Sequence, residues 1–483
     1  MTILARRSFC MAFIAVLSLF SAMEPAVAQT LYGTVVGLVA DASGGAVPNV
    51  KLTVTNKGTG LTLETVTDSD GSFTILNVPA GSYDAKAVLA GFKTQSRTDL
   101  AATVNTVSRV NFVMEVGSLT EQITVSAEVA QLQTDKADTH TELRADLVKN
   151  LPLPGYRNYQ SLINLVPGAT PASFQNAVTD TPARSLRTNV NGTNASTNVT
   201  RIDGAASVNI WLPHHAGYVM PAEMVETVNI VTTAGDAEQG MAGGAAITLV
   251  TKSGTNTLHG SGFWYHDNQH LRARNFFFTP ATVKPVSIYN NFGGTIGGPI
   301  VKNKLFFFYS YDNTKQRNGA FGRYSVPTDD IRAGNFSATG RDVFDPRTGN
   351  TLTGTGRGQF PGNIIPASRI SPIAQRIQAF YPQPNIAGPL NNLAIGATPQ
   401  FNRDYNDAKI NYQRGSKHMI WGRYGIMNAL VGGRGMFGDG VGPSPGADPG
   451  FGDTRIQNTS AGHNYTLSSN LLLDGVFGFQ RMD

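Results

Sequence analysis

The sequence GGAAITLVTKSGTNTLHGSGFWY, residues 243–265, separates two parts of the chain that differ in style. Its first half is glycine-rich and runs through an apolar strand, Ala246–Val250, into a polar turn at Lys252–Asn256. Its second half, Thr257–Tyr265, is interpreted as a strand, because successive side chains of a strand point to opposite faces. One face then carries His259, Ser261, Phe263 and Tyr265, and the other carries Leu258, Gly260, Gly262 and Trp264. Before this stretch the sequence is typical of small domains; after it come long glycine- and aromatic-rich strands with long polar loops. The stretch therefore predicts a boundary between two architectures.

The composition indicates which kind of membrane segment the chain can form. Charged residues make up 15% of the 483 residues, and the net charge of +5 is spread thinly, without the basic run that nucleic acid would need. After Phe20 no apolar run approaches the roughly 20 residues of a membrane helix. If the protein spans a membrane it must do so with strands, because only helices and closed barrels satisfy their backbone groups in lipid.

The N-terminus, residues 1–28, is typical of a secretory signal peptide. Arg6 and Arg7 precede an apolar run, and a small-residue sequence ends at Ala28, which predicts cleavage between Ala28 and Gln29. The single cysteine, Cys10, lies inside this segment. The mature chain is therefore expected to contain no disulfide, no catalytic thiol and no thiolate metal site.

Residues 31–115 alternate short strands with turns, which predicts an antiparallel β-sandwich. The Asp68-Ser69-Asp70-Gly71 sequence is interpreted as a hairpin turn, since the later ligands of a calcium loop are missing. The predicted strands are Tyr32–Val39, Val50–Thr55, Leu61–Thr67, Ser72–Leu76, Tyr83–Leu89 and Arg109–Met114.

The sequence GLVADASGGAVPNVKLTVTN, followed by TDSDGSFTILNVPAGSYDAKAVLAGF, resembles the carboxypeptidase regulatory-like domain. This resemblance implies a transthyretin-like sandwich of the kind found before outer-membrane receptors and sometimes grouped with carbohydrate-binding-like folds. No residue here indicates sugar binding, so a structural spacer is the favoured interpretation.

A linker, residues 116–130, contains a β-rich heptad that resembles the TonB box of TonB-dependent receptors. A linker strand is the plainer interpretation. An extended peptide can also add a strand to the exposed sheet edge of a partner, which is the contact that the resemblance implies with TonB. The heptad consists of Glu121, Gln122, Ile123, Thr124, Val125, Ser126 and Ala127.

Residues 131–255 resemble the plug domain of Oar-like receptors. The opening LVKNLPLPGYRNYQSLINLVPG, residues 147–168, matches that family's pattern except at Pro154 and Tyr156. The run Thr200–Gly204 corresponds to its strand-turn, and ITLVTKSGTNTLHG is its most recognisable segment. The resemblance implies an α/β plug.

Residues 256–483 contain strands typical of the start of an outer-membrane β-barrel. Leu305, Phe307, Tyr309 and Tyr311 are expected on one face, as an outward apolar band requires. We expect residues 313–403 to form a long extracellular loop with one helix, Pro372–Phe380. About seven or eight strands are predicted, against 22 in plugged transporters, so the chain is expected to be truncated at its C-terminus.

The candidate sites offer no catalytic chemistry. His214, His215, His259, His266 and His270 match no metal-ligand spacing, so no metal site and no cofactor are predicted. No nucleophile or paired carboxylates stand out, and the chain is expected not to be an enzyme.

The resemblance implies a mainly β TonB-dependent receptor in the outer membrane, with its plug and N-terminal domain facing the periplasm. The implied partners are TonB, outer-membrane lipid and an unidentified bulky extracellular ligand, for instance a glycan or a peptide. The alternative is a surface adhesion or carbohydrate-binding protein whose functional part is the sandwich. Ligand identity, sugar binding and oligomeric state are left open by the sequence.

Overall fold

The computed structural model describes residues 31–117, 122–126, 136–174, 178, 181–209, 212, 214–235, 239–240, 242–273, 284–439, 442–445, 450–468 and 471–483. The predicted signal peptide, its Ala28–Gln29 cleavage site and Cys10 lie outside these residues. The predicted mainly β class is confirmed by three separate groups of sheets. Within the described part of the chain, none of the helices has the length and apolarity needed to cross a bilayer.

Residues 31–117 and 122–126 form a sandwich of two sheets around one core. The first sheet has the order β4-β1-β7, with β8 also pairing with β1, and the second has the order β3-β2-β5-β6-β9. The core between them includes the fully buried Leu52, Tyr83 and Phe112. The strands are β1 (Gly33–Asp41), β2 (Lys51–Asn56), β3 (Thr62–Val66), β4 (Ser72–Val78), β5 (Gly81–Val88), β6 (Thr94–Ala102), β7 (Val107–Arg109), β8 (Phe112–Met114) and β9 (Gln122–Ser126).

The expectation of a purely antiparallel sandwich is wrong in three pairings. Strands β7 and β8 run parallel to β1, and β9 runs parallel to β6. The reason is topological. The chain crosses from β6 in the second sheet to β7 and β8 in the first sheet, and then returns to β9 in the second. Parallel neighbours need such crossover connections, whereas hairpins give antiparallel ones. Strand β6 was not predicted at all.

A third sheet, in the order β10-β13-β14-β11-β12, forms the centre of the segment predicted to be a plug. Its core includes Val228, Ile230 and Leu249, all buried completely. Short helices cover the sheet, namely α1 (Ala145–Asn150), α2 (Pro154–Arg157) and 3-10 turns at Tyr159–Leu165, Ala195–Thr197 and Ala222–Met224. The strands are β10 (Thr139–Arg144), β11 (Val199–Ile202), β12 (Ala205–Ala206), β13 (Val225–Thr233) and β14 (Ala246–Thr251).

The C-terminal part forms one antiparallel sheet in the order β15-β16-β17-β20-β21-β23-β24, with the short β22 beside β21. Its inner face packs on the plug segment, because Phe308, Tyr405 and Met427 belong to the same buried cluster as the plug core. The strands are β15 (His259–Asn268), β16 (Ser287–Val301), β17 (Leu305–Asn318), β20 (Gln400–Arg414), β21 (His418–Gly435), β22 (Gly438–Asp439), β23 (Gly450–Ser468) and β24 (Leu471–Met482).

Strand β17 has the predicted alternation of faces. Phe306 and Phe308 are buried against the interior, whereas Leu305, Phe307, Tyr309 and Tyr311 lie on the opposite face. The outer residues form the apolar surface that a lipid-facing strand needs, and 14 residues exceed the roughly 9–11 that cross the hydrocarbon core.

The predicted loop at residues 313–403 is wrong at both ends. Strand β17 continues to Asn318 and β20 begins at Gln400. The end of β17 is polar on both faces and the start of β20 is polar on its outer face, so both lack the outward apolar signal of the middle. The remaining segment, 319–399, contains the hairpin β18 (Ala320–Tyr324) and β19 (Leu393–Ala397), the helices α3 (Asp329–Arg332) and α4 (Pro372–Gln378), and 3-10 turns at Ser337–Thr339, Pro361–Asn363 and Ala367–Arg369.

The two ends of the C-terminal sheet differ in the length of their connections. Short turns join β16 to β17, β20 to β21 and β23 to β24, whereas long segments occupy the opposite end. The sandwich lies at the short-turn end, where Asn256 Nδ2 donates to Thr59 O across 2.9 Å. Leu31, Tyr32 and Leu61 also pack there against Met419 and Trp421.

Candidate functional site

The TonB-box-like segment is an edge strand of the sandwich. Residues Gln122–Ser126 form β9, which pairs in parallel with β6 from Thr94↔Gln122 to Thr98↔Ser126. Glu121 and Ala127, the first and last residues of the predicted heptad, lie outside the described residues. The extended conformation expected for the segment is present, and its backbone is paired within the chain.

The chain is anchored to the sandwich on both sides of β9. Before it, Lys93 N donates to Glu115 O across 2.8 Å and Gly117 N donates to Gly91 O across 3.1 Å. After it, Lys136 Nζ donates to Asn105 Oδ1 across 2.8 Å. The chain on either side of β9 is therefore bonded to the sandwich, at Gly117 before the strand and at Lys136 after it.

Two further hydrogen bonds join the sandwich to the sheet of the plug segment. Thr103 Oγ1 donates to Glu142 Oε2 across 3.0 Å, and Asn229 Nδ2 donates to Val104 O across 2.9 Å. Burial raises the pKa of Glu142 above its ordinary value, with the hydrogen bond from Thr103 opposing this shift. A displacement of the plug would break these contacts as well as the anchor at Lys136.

A buried network of two acids and two bases joins the plug segment to the inner wall of the C-terminal sheet. Lys409 Nζ lies 3.1 Å from Asp203 Oδ1, and Arg423 Nη1 lies 3.4 Å from Asp407 Oδ1. Arg423 Nε is 3.3 Å from Asp203 Oδ2, an ion-pair distance at an angle that makes no hydrogen bond. All four side chains are at most 5% exposed.

The local turn explains how Asp203 reaches the wall. Asp203 and Gly204 have φ values of 46° and 79°, so the chain reverses sharply between β11 and β12. Thr251 then fixes the carboxylate, donating from N to Oδ1 across 3.0 Å and from Oγ1 to Oδ2 across 2.6 Å. Beside it, Tyr218 of the plug segment donates to Asp407 Oδ2 across 3.0 Å.

Toward the end with the long connections, an aromatic and arginine cluster lies between plug segment and wall. The ring of Tyr156 is 4.7 Å from that of Phe401, and Arg403 lies 5.6 Å from the Tyr156 ring centre. Arg184, only 6% exposed, lies 3.9 Å over Phe174. Its Nε and Nη1 have no hydrogen-bond partner. Unsatisfied guanidinium donors beside aromatic rings suit an acidic or planar ligand group.

A cavity of about 510 Å³ lies where the sandwich, the plug segment and the wall meet. Its lining includes Glu226 and Lys252 of the plug segment and Lys409 of β20. Burial raises the pKa of Glu226 and lowers that of Lys252, whose Nζ donates to Glu223 O across 2.8 Å. The cavity is therefore lined by ionisable groups from both the plug segment and the wall.

The histidines considered in the sequence are dispersed. His214 and His215 lie side by side, with ring centres 4.3 Å apart, while His266 bonds to Asn290 and His259 contacts Thr255. Among the residues that the structure describes, no three His, Cys, Asp or Glu side chains are grouped so as to hold a metal ion.

The tryptophans have different surroundings, since Trp264 is 71% exposed and Trp421 is buried, and Trp211 lies outside the described residues.

Two family models match the chain. Residues 34–115 match the carboxypeptidase regulatory-like domain, and residues 250–483 match the outer membrane beta barrel domain. The first corresponds to the sandwich and the second to the C-terminal sheet. Together they agree with a bacterial outer-membrane location and with the resemblance drawn from the sequence.

A curated relative is the TonB-dependent transporter Oar of Myxococcus xanthus, which is 26% identical over 293 residues. The match covers 58% of this chain and 26% of the relative, so the chain spans about a quarter of that protein's length. Similar solved structures include the ferric enterobactin receptor of Pseudomonas aeruginosa, with 11% identity and a TM-score of 0.40 over 71% of this chain and 41% of that one. The outer membrane transporter YddB of Escherichia coli has 11% identity and a TM-score of 0.36, covering 71% and 48%.

Proposed function

We propose that this chain, an outer-membrane protein with a carboxypeptidase regulatory-like domain that is similar to the Oar transporter, works as a TonB-dependent receptor that imports a bulky ligand. The single observation that carries the proposal is the position of the box-like strand β9. In sequence it lies between β8 and the plug segment, in space it pairs with β6 of the sandwich, and the chain is anchored to the sandwich on both sides of it, at Gly117 and Lys136. Such a strand offers backbone groups that a periplasmic partner can pair with.

The buried ionic network is the contact that must break when the ligand moves the plug segment. Ligand would bind at the end with the long connections, where Arg184 and Tyr156 lie, and shift the plug segment relative to the wall. Because Asp203 is held by Lys409 and Arg423, such a shift must break buried ion pairs. Force from TonB, powered by the proton gradient of the inner membrane, can supply the energy that the outer membrane lacks.

The proposed partners follow from the same geometry. The C-terminal domain of TonB would take the segment Glu121–Ala127, and outer-membrane lipid would surround the apolar face that carries Phe307 and Tyr309. The extracellular ligand would be a glycan or a peptide, and acidic groups on it would suit the unsatisfied donors of Arg184. The sandwich and the plug would face the periplasm.

Deletion of residues 121–127 separates transport from the alternative of a surface adhesion or carbohydrate-binding protein. Cells would be given labelled acidic glycans and peptides, with binding and uptake measured before and after collapse of the proton gradient. We expect the deletion to abolish energised uptake and to leave surface binding unchanged. Energised uptake that survives the deletion would refute the transport proposal and favour the adhesion protein.

A further inference from the structure

Strand β9 covers the edge of β6 with its own backbone. The pairing extends over five residues in unbroken parallel register. In the part of the chain that the structure describes, β9 is the last strand of this sheet, so β6 would otherwise present the exposed edge. Thr94, Gln95 and Ser96 of β6 are each less than 9% exposed, although all three are polar. These three residues of β6 therefore have little contact with solvent while β9 is paired with it.

The connections hold β9 close to that edge. Gly117 is bonded to Gly91, three residues before β6 begins, and only residues 118–121 separate it from β9. The salt bridge from Lys93 Nζ to Glu115 Oε2, at 3.4 Å, stabilises the same anchor. A linker of about four residues gives the tethered strand an effective concentration in the millimolar range. The intramolecular contact between β9 and β6 therefore competes with any partner that binds β9 through the same edge.

We propose that the edge of β6 is a docking surface for residues 122–126 of the same chain, and that TonB must displace it to bind. The inference rests on the proposed function, since it assumes that this segment is the TonB contact. The sandwich is then more than a spacer, because it sets how readily the segment is released. The alternative is that TonB adds to the outer edge of β9 while β9 stays on β6.

A disulfide across the pair Ser96↔Thr124 tests the docking and the competition separately. The two residues are Cα partners, and neighbouring strands about 4.8 Å apart fall within the Cα range that a disulfide tolerates. Cys10, the single cysteine of the 483-residue sequence, lies in the predicted signal peptide, so residues 29–483 contain no other thiol that could compete. The full-length chain carrying Ser96→Cys and Thr124→Cys would be purified in detergent, oxidised, and titrated with the C-terminal domain of TonB.

We expect the disulfide to form readily and to weaken TonB binding at least about tenfold, with full recovery after reduction. The matched control is Thr98→Cys with Thr124→Cys, which lies two residues out of register, roughly 8 Å apart, and should not cross-link. A second pair, Gln95→Cys with Ile123→Cys, repeats the test on the other face of the strand.

Three results would overturn the inference in different ways. If neither in-register pair cross-links better than the control, β9 does not dock on β6, whatever TonB does. If the cross-linked chain binds TonB as tightly as the reduced chain, the outer edge of β9 is used and there is no competition. If the wild-type chain and both reduced variants fail to bind TonB, the proposed function fails and the competition fails with it.

Discussion

Lys409, on the inner wall of the C-terminal sheet, donates from Nζ to Oδ1 of Asp203, on the plug segment, across 3.1 Å. The two side chains are 5% and 1% exposed and stand 206 residues apart in sequence. A charge so deeply buried is tolerated only when it is paired and hydrogen-bonded. The pair therefore fixes one relative position of plug and wall.

Asp203→Asn should loosen the plug. The substitution keeps the shape of the side chain but removes the carboxylate that pairs with Lys409 and Arg423, so that Arg423 keeps its pair with Asp407 while Lys409 loses its paired carboxylate. Breaking a buried pair on one side costs about 3–5 kcal/mol. We expect the plug segment to become accessible to protease at a clearly lower urea concentration than in the wild type.

Two controls identify the cause of that effect. Asp203→Asn combined with Lys409→Met should be less destabilising than the sum of the two single changes, because no unpaired cation remains. Lys51→Ala removes a pair with Glu64 in which both side chains are more than half exposed, and should change stability by less than about 1 kcal/mol. Additive effects in the double variant would contradict direct coupling of Asp203 and Lys409.

Ile123→Pro should weaken the contact of the box-like segment with TonB. Proline lacks the backbone donor that an added strand needs, so the affinity of a peptide spanning residues 118–130 should fall by roughly 1–3 kcal/mol. Ile123→Val keeps the backbone and nearly all of the shape, and should bind like the wild type. Calorimetry on isolated peptides avoids competition from the sandwich. Equal affinities for the proline and valine peptides would identify the segment as a plain linker.

The sandwich should fold when residues 31–117 are excised, since it has its own core around Tyr83 and Phe112. Gly37→Ala should destabilise this fragment by at least about 3 kcal/mol, because the new Cβ would lie 1.8 Å from Val110 O and 2.7 Å from the Phe73 ring. Leu38→Ala, at a neighbouring residue that is 45% exposed, should cost under about 1 kcal/mol. Urea denaturation followed by circular dichroism measures both. A fragment without β-structure would refute the prediction.

His215 should make the plug segment less stable in acid. Burial, assisted by the neighbouring His214, lowers the pKa of His215 from 6.5 to about 4. The unfolded chain therefore takes up a proton below pH 6.5 while the folded chain stays neutral. The free energy of unfolding has its full value above pH 6.5 and falls by up to about 3 kcal/mol as the pH drops toward 4.

The contribution of His215 to the pH dependence is obtained by comparing the free energies of unfolding of the wild type and of His215→Gln. Denaturant unfolding at pH 7.5 and at pH 4.5 should show the wild type losing more stability than the variant across this interval. The other acids titrate in both proteins and cancel in the comparison. Identical losses would mean that His215 is protonated in the folded chain.

The sequence allows strands with apolar alternation to be predicted well and polar strands poorly. Strand β17 was recognised from Leu305, Phe307 and Tyr309, because outer residues must be apolar in lipid. Strand β6 begins Thr94-Gln95-Ser96-Arg97, which has no apolar alternation, and it was missed. The end of β17 is likewise polar, and the start of β20 has a polar outer face. Polar strands gain their stability from pairing and tertiary packing, which hydrophobic periodicity does not report.

The candidate site divides in the same way. The local pattern of Glu121–Ala127 predicts an extended segment, but the partner strand of β9 lies 28 residues earlier and is set by tertiary topology. Asp203 was noted only as part of a strand-turn. Lys409 and Arg423 gave a signal that could have been used, since a charge at an inward position of an otherwise alternating strand indicates an interior partner. The identity of that partner, 206 residues away, required the structure.

The charge balance of the buried network has an electrical consequence. While the plug segment is in place, Asp203 and Asp407 neutralise Lys409 and Arg423. A plug that moves away takes Asp203 with it and leaves two cations and one carboxylate on the wall. In the proposed transporter this part of the wall would then carry a local charge of about +1 and would favour anions over cations in conductance measurements. The residues that hold the plug segment in place would thus also influence which ions leak past it when it moves.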